Sequence, residues 1–250
     1  VRKEKPNYSF LSSLKWQSFF EENILEKENI AILELLTQRQ QVGLVVFNMR
    51  NRQIVYLSPN ALSMIGCHPN ASYEEGYAHF YQSVCPEHLG FAPIMLKIVQ
   101  TLRLEGIEMG IEQSICGLKY QLTEGVIRLA VRAISLSSPE EDEPLTLYII
   151  QNITHLLKDD CYWFRICVDK PKMIFSYHSQ MRNYINSDII SNREMDILRL
   201  IVQGKTTEEI AKHFFLSENT INNHRQRMLN KLGAKDTTAL IQLNHIFDIV

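Results

Sequence analysis

Between Ser217 and Gly233 the sequence carries four amide side chains, Asn219, Asn223, Gln226 and Asn230, that share one narrow arc when the segment is wound as a helix at about 100° per residue. Asn222 and Arg227 flank that arc, while Ile221, Met228 and Leu232 centre the opposite side with His224 at its edge. An asparagine or glutamine amide can pair bidentately with an adenine edge, and arginine or lysine can bind guanine or neutralise a phosphate. The helix and its end hold Arg225, Arg227, Lys231 and Lys235 against Glu218 alone, so the local field is basic, although Arg225 falls toward the inner edge. A polar outward face is also what any solvated surface helix shows. Its neighbours decide what it can do.

Those neighbours are short capped helices. Ser191-Asn192-Arg193-Glu194 is a capping box, in which the serine oxygen accepts from the third helical amide and the glutamate returns to the cap amide. Met195, Leu198, Ile201 and Val202 form the buried stripe of the helix that follows, up to Gly204, which suits a left-handed C-terminal turn. Thr206 with Glu209 repeats the box for a brief second helix with Ile210, Ala211 and Phe214 inward, where Ala211 leaves room for close helix approach. Ser217 then caps the amide-bearing helix and Gly233 ends it. Helices of these lengths joined by short turns are the helix-turn-helix arrangement, in which one helix enters the major groove.

The segment SNREMDILRLIVQGKTTEEIAKHFFLSENTINNHRQRMLNKLGAKDTTALIQL closely resembles the LuxR-type DNA-binding domain. The likeness includes the Arg-Glu opening, the Gly-Lys-Thr turn, Glu209-Ile210-Ala211, Leu216-Ser217, Thr220-Ile221, His224 and Lys231-Leu232-Gly233. It implies that Thr220, Asn222, Asn223 and Gln226 meet the DNA, that Lys205 and Arg227 meet phosphates, and that a fourth helix, Thr237 to about Ile249, is a place of dimerisation. Position 222 departs from the family, where lysine is common.

The chain of 250 residues has room for two ordinary domains of about 100–200 residues each. With 45% hydrophobic and 22% charged residues it can build real cores, and its net charge of −2 leaves room for one basic face. Five scattered cysteines, Cys67, Cys85, Cys116, Cys161 and Cys167, lack the close pairs of zinc sites and fit a reduced cytoplasmic setting. No run of about 18 apolar residues reads as a membrane span, and the opening VRKEKPNYSF has no signal-peptide core. The valine start points to a fragment of a longer product.

Ahead of the helices the apolar periodicity changes. Leu14, Phe19, Phe20, Ile24, Leu25, Ile32, Leu35 and Leu36 recur at helical spacing, as a helix covering the next core or a dimerising one. VGLVVFNM and RQIVYL then read as a strand hairpin, Leu89 to Leu104 as a helix ended by Gly106, and IEMGIEQSI, VIRLAVRAISL and LTLYIIQNI as three strands. The acidic SSPEEDEP is an exposed turn between the last two. This order over Gln41 to His155 resembles a PAS domain, a five-stranded antiparallel sheet crossed by helices around a small cavity; YLSPNALSMIG and IIQNIT are its better local points. The Asn-Cys-Arg-Phe signature of flavin-binding members is absent. His79 or His88 stands where haem-binding members place an axial ligand, but a lone histidine is a weak signal and each reads better as an ordinary surface or core histidine. The sequence assigns no cofactor.

The expected fold class is therefore α+β: an N-terminal PAS-like antiparallel sheet with helices, plus an all-α C-terminal four-helix helix-turn-helix domain. The expected division is 1–40, an N-terminal amphipathic helical segment; 41–157, a PAS-like sensory domain; 158–187, a packed connector anchored by Tyr162, Trp163 and Phe164; and 188–250, the LuxR-type domain. The expected partners are double-stranded DNA, a second copy in a homodimer and a small-molecule ligand of the front domain, with no membrane. A phospho-receiver is disfavoured because the first strand runs into Asn48-Met49-Arg50 without the acidic pair. An enzyme is disfavoured because no nucleophile elbow, P-loop, Rossmann glycine run or metal-spaced histidines occur. A front domain serving only for dimerisation, in a regulator controlled by phosphorylation or a protein partner, is the alternative.

Overall fold

A computed structural model describes residues 41–48, 53–66, 73–90, 92–104, 111–135, 145–168, 173–180 and 182–250. The amphipathic segment 1–40, the hairpin turn after Asn48, Gly106 and the acidic loop 137–144 lie outside the described residues. The architecture is α+β, an antiparallel sheet with helices on both faces. The strands are β1 (Val42–Asn48), β2 (Gln53–Leu57), β3 (Ile111–Leu122), β4 (Gly125–Ser135), β5 (Leu145–Asn152), β6 (Trp163–Val168), β7 (Met173–His178) and β8 (Asn183–Ile185). They form one sheet in the order β2-β1-β5-β4-β3-β6-β7-β8, with every ladder antiparallel.

Between β2 and β3 stand α1 (Pro59–Met64), α2 (Tyr73–Ser83), α3 (Pro86–Leu89) and α4 (Ala92–Leu104). Sequence periodicity places one helix from Leu89; the chain instead breaks there into α3, whose first residue is Pro86, and the longer α4. Met95, Val99 and Leu102 of α4, with Ile65 and Val84, close over Leu118, Tyr120, Leu129, Val131, Ile150, Phe164 and Ile166 on the front of the sheet. The back of the sheet carries Cys116, Ala130 and Trp163, which join a different core, that of the C-terminal helices.

A bulge keeps these two faces in register. Cys116 pairs with Ala130 and Leu118 with Leu129, leaving Gly117 as the extra residue, so Cys116 faces back while Leu118 and Tyr120 face front. Gly117 has φ +77, and a Cβ there would stand 2.6 Å from Arg128 Nη2 and 2.8 Å from the Cys161 carbonyl oxygen. Only glycine fits that crowding and that dihedral.

The stretch 158–187, read from sequence as a packed connector, folds as β6, β7 and β8 and extends the sheet beyond β3. Strand alternation splits its aromatic anchors between the faces. Trp163 enters the back core against Phe247, ring centroids 4.7 Å apart, while Phe164 enters the front core against Tyr177 at 5.5 Å. Two consecutive residues thus belong to two cores. Arg165, next on the back face, disguises the strand in a hydropathy pattern because it is a charged residue that is nevertheless buried.

The C-terminal residues form α5 (Asn192–Val202), α6 (Thr207–Phe214), α7 (Glu218–Leu232) and α8 (Thr237–Phe247). Arg165 binds both ends of this module: Nη1 lies 3.2 Å from Asp188 Oδ2, just before α5, and Nη2 donates to the carbonyls of Phe247 and Asp248 at the end of α8. Both side chains of the ion pair are 7% exposed, and removing one partner of such a pair costs about 3–5 kcal/mol because the other charge stays buried. Among the described residues, no helix is long and apolar enough to cross a membrane.

Candidate nucleic-acid interface

Local hydrogen bonds set the start of each C-terminal helix. In α5, Ser191 N donates to Glu194 Oε2 at 2.7 Å and Glu194 N donates to Ser191 Oγ at 3.3 Å. Thr206 and Glu209 make the same reciprocal pair for α6 at 2.8 and 3.2 Å. Thr220 N donates to Ser217 Oγ at the start of α7, and Ala239 N to Asp236 Oδ1 at the start of α8. Each such cap contributes about 1 kcal/mol. Gly204 and Gly233 take positive φ as the helix ends require. The turn between α6 and α7 instead puts Phe215 at φ 56, with its ring 95% exposed.

Ile210, Ala211, Ile221, Met228 and Leu232 are buried, which turns the other side of α7 to solvent. Asn219, Asn222, Asn223, Gln226, Arg227 and Asn230 are all exposed on it. Gln226 Nε2 donates to Asn230 Oδ1 at 3.0 Å, linking two members of the stripe. Thr220 is half-buried, and its hydroxyl shares a 2.8 Å bond with Ser217, so it serves the cap. Lys205 is exposed and lies 3.6 Å from Glu209. His224 and Arg225 are half-buried at the inner edge.

The basic field is narrower than the sequence suggests. Lys231 Nζ lies 2.7 Å from Glu194 Oε2, so the cation of the last turn is committed to the α5 cap. Burial alone would raise the Glu194 carboxyl, but Lys231 and the Ser191 amide outweigh it and hold it below the usual carboxylate value.

The end of α7 is held by the sheet. His178 Nε2 lies 2.7 Å from the Lys231 carbonyl oxygen, Trp163 Nε1 donates to that of Leu232 at 3.3 Å, and Lys158 N donates to that of Gly233 at 3.0 Å. Gln180 N donates to His178 Nδ1 at 3.2 Å, which assigns the ring proton to Nε2, where it is donated to Lys231. Cys161 Sγ stands 3.2 Å from the same Nε2, its thiol pushed up to about 11 by burial.

The end of α8 is held likewise. Arg132 Nη1 donates to the Ile246 carbonyl, and Arg165 takes those of Phe247 and Asp248. In the fourth helix, which the family resemblance implies as a place of dimerisation, the apolar residues Leu240, Leu243, Ile246 and Phe247 are used within the chain: Leu240, Leu243 and Phe247 are fully buried and Ile246 is half-buried. The back of the sheet is the surface that α8 covers, which the helix pattern alone could not reveal.

Comparison with known proteins settles what this module is. The sequence profile of the bacterial regulatory proteins of the luxR family matches residues 188–244. The spore germination protein GerE of Bacillus subtilis is 36% identical over 63 residues, which are 25% of this chain and 85% of GerE. The chain belongs to the luxR family of bacterial regulatory proteins. The Fimbriae Z protein of Escherichia coli is 31% identical over 84 residues, 30% of this chain and 40% of that protein. Against that longer relative the chain spans less than half of its length. A solved structure of the Vibrio cholerae VqmA dimer is a weak likeness, with a TM-score of 0.34 and 15% identity over 88% of this chain and 87% of that one. As a luxR-family member this chain is a DNA-binding transcription regulator, in a family of regulators rather than enzymes.

Around the luxR-type helices, sequence reading named Trp163 as a packing anchor but missed Arg132, Arg165, His178 and Lys158 as contacts to the module. Their one visible signal was a charged residue, Arg165, at the alternate position to Trp163 in WFRICV. His88, weighed as a haem ligand, is buried with its ring 4.0 Å from Tyr162, and Nδ1 accepts from Lys119 N. Burial pushes it down to about 4. His79 is half-buried.

Burial also holds His178 below the ordinary histidine value of 6.5, against the opposing pull of the Lys231 carbonyl. Protonation therefore favours the unfolded chain. The stability that neutral His178 contributes is complete above 6.5 and is lost as pH falls through its lowered folded value. The urea midpoint is expected to fall from pH 7 to pH 5 more steeply in the native chain than in His178→Gln, whose amide can still donate to Lys231. Equal slopes would show that His178 carries no such linkage.

Proposed function

We propose that α7 lies in the major groove and that Asn222, Asn223 and Gln226 read base edges while Arg227 and Lys205 contact phosphates, with Thr220 at the edge of the contact. The observation that carries this reading is the exposed amide stripe on a helix whose opposite side is buried in a four-helix module. Asn223 and Gln226 offer paired donors and acceptors suited to adenine. Arg227 has no ion-pair partner among the described residues, whereas Lys205 must leave Glu209 to serve. On this reading residues 188–250 are the DNA-binding unit. Asn223→Ala or Gln226→Ala is expected to cost about 1–3 kcal/mol on a duplex selected in vitro with the full chain, relaxing base preference with little change in salt slope. Arg227→Ala is expected to weaken selected and scrambled duplexes alike and to lower the slope by about one. Equal losses on both duplexes for the two amide variants would refute base reading.

The front of the chain is proposed as a PAS-like sensory unit that responds to a small ligand or a partner. The five strands β1 to β5, with α1 to α4 packed on one face, support this reading. β6 supplies a route to the DNA-binding unit, since Phe164 packs in the front core and Trp163 caps α7. The chain is further proposed to act as a cytoplasmic homodimer on two half-sites about one helical turn apart, paired through surfaces other than the buried run of α8. Native mass spectrometry of the purified chain tests both ideas: two copies with a retained small molecule are expected. Two copies without one would favour the alternative of a front domain that only dimerises, and a monomer on DNA would refute pairing.

A further inference from the structure

The loop between the 3-10 turn Thr154–Leu156 and β6 runs along the end of α7. Leu157 and Ala234 form an antiparallel bridge, Lys158 N donates to the Gly233 carbonyl at 3.0 Å, and Lys235 N donates to that of Leu156 at 2.9 Å. These main-chain ties fix Lys158 against the last turn of the helix, although it precedes the matched family segment 188–244. Its ammonium donates to Asn230 Oδ1 at 2.5 Å, the same oxygen that Gln226 binds. Lys158 is exposed there, at one end of the amide stripe.

Two aspartates follow Lys158, and each is engaged with another group. Asp160 lies 3.4 Å from both Lys119 and Arg128, and Asp159 Oδ1 accepts from Cys161 N at 2.8 Å. Lys158 itself has no carboxylate within ion-pair distance among the described residues. Lys231, the cation that α7 supplies at this end, is taken by Glu194. The ammonium that reaches Asn230 at the end of the stripe therefore comes from the sheet half of the chain, with Lys235 exposed just beyond the helix.

We propose that Lys158 is a DNA-phosphate contact, so that the interface is a composite of the luxR-type module and the front of the chain. The proposal rests on the assignment of the outward face of α7 to DNA. A helix lying in the groove meets a phosphate strand where its end leaves the groove, and Asn230 presents the Lys158 ammonium at that point. One phosphate neutralised releases about 0.9 counterion on duplex DNA.

Full-length native chain, Lys158→Met, Lys158→Arg and Asn223→Ala are titrated on the selected and scrambled duplexes between 50 and 200 mM salt. Lys158→Met is expected to weaken both duplexes equally, with a loss about three- to fourfold larger at the low salt than at the high. Its thermal midpoint should stay unchanged, and Lys158→Arg should restore affinity and slope. Unchanged affinity and slope for Lys158→Met, with Asn223→Ala still losing base preference, would overturn the Lys158 contact and leave the reading face standing. Tighter binding, or altered base preference at constant slope, would also overturn it, making Lys158 a restraint on Asn230 and Gln226. Failure of Asn223→Ala to change preference would instead fault the reading face itself.

Discussion

Every α-helix leaves its last four carbonyls without partners in the helix itself. In α7 those of Lys231, Leu232 and Gly233 are taken by His178, Trp163 and the Lys158 amide, all from the sheet half of the chain. The helix that offers its amides to DNA is thus completed by residues outside the helix-turn-helix module. Whatever moves β6 or β7 moves hydrogen bonds at the end of that helix. The coupling needs no long relay, because Trp163 and Phe164 are adjacent residues in opposite cores.

The same constraint governs α8. Arginines near a helix C-terminus satisfy carbonyls and oppose the negative end of its dipole, and Arg132 and Arg165 do this from β4 and β6. Arg132 is in turn held 2.7 Å from Glu112, and Arg165 is paired with Asp188. Buried charge in the sheet therefore has a purpose that apolar residues could not serve, at the cost of requiring every partner in place. The apolar side of α8 is consumed in this packing, which leaves a dimer to form by other surfaces.

The helix boundaries of the module were legible in the sequence, because caps and glycines are local signals: Ser191, Thr206 and Ser217 cap α5, α6 and α7, and Gly233 ends α7, whereas on α5 Ile197 is fully buried and the expected Met195 and Val202 only half-buried. The two faces of α7 followed from helical periodicity. What escaped is non-local. That β6, β7 and β8 are strands depends on pairing with β3, and Arg165 breaks the hydropathy alternation that would have announced them. The commitment of Lys231 to Glu194 and the burial of Leu240, Leu243 and Phe247 against the sheet join residues far apart in the chain. No pattern within one helix contains them.

Hydrogen exchange on the full-length chain, followed by mass spectrometry, tests directly whether the sheet holds the end of α7. Trp163→Leu removes the indole donor to Leu232 and the ring contact with Phe247. Peptides from the last turns of α7 and α8 should exchange faster together, while β1, β2 and the capped start of α5 keep native rates. If the last turns of α7 and α8 exchange at native rates in a chain that remains folded, the sheet does not hold the DNA-facing helix and the account is wrong.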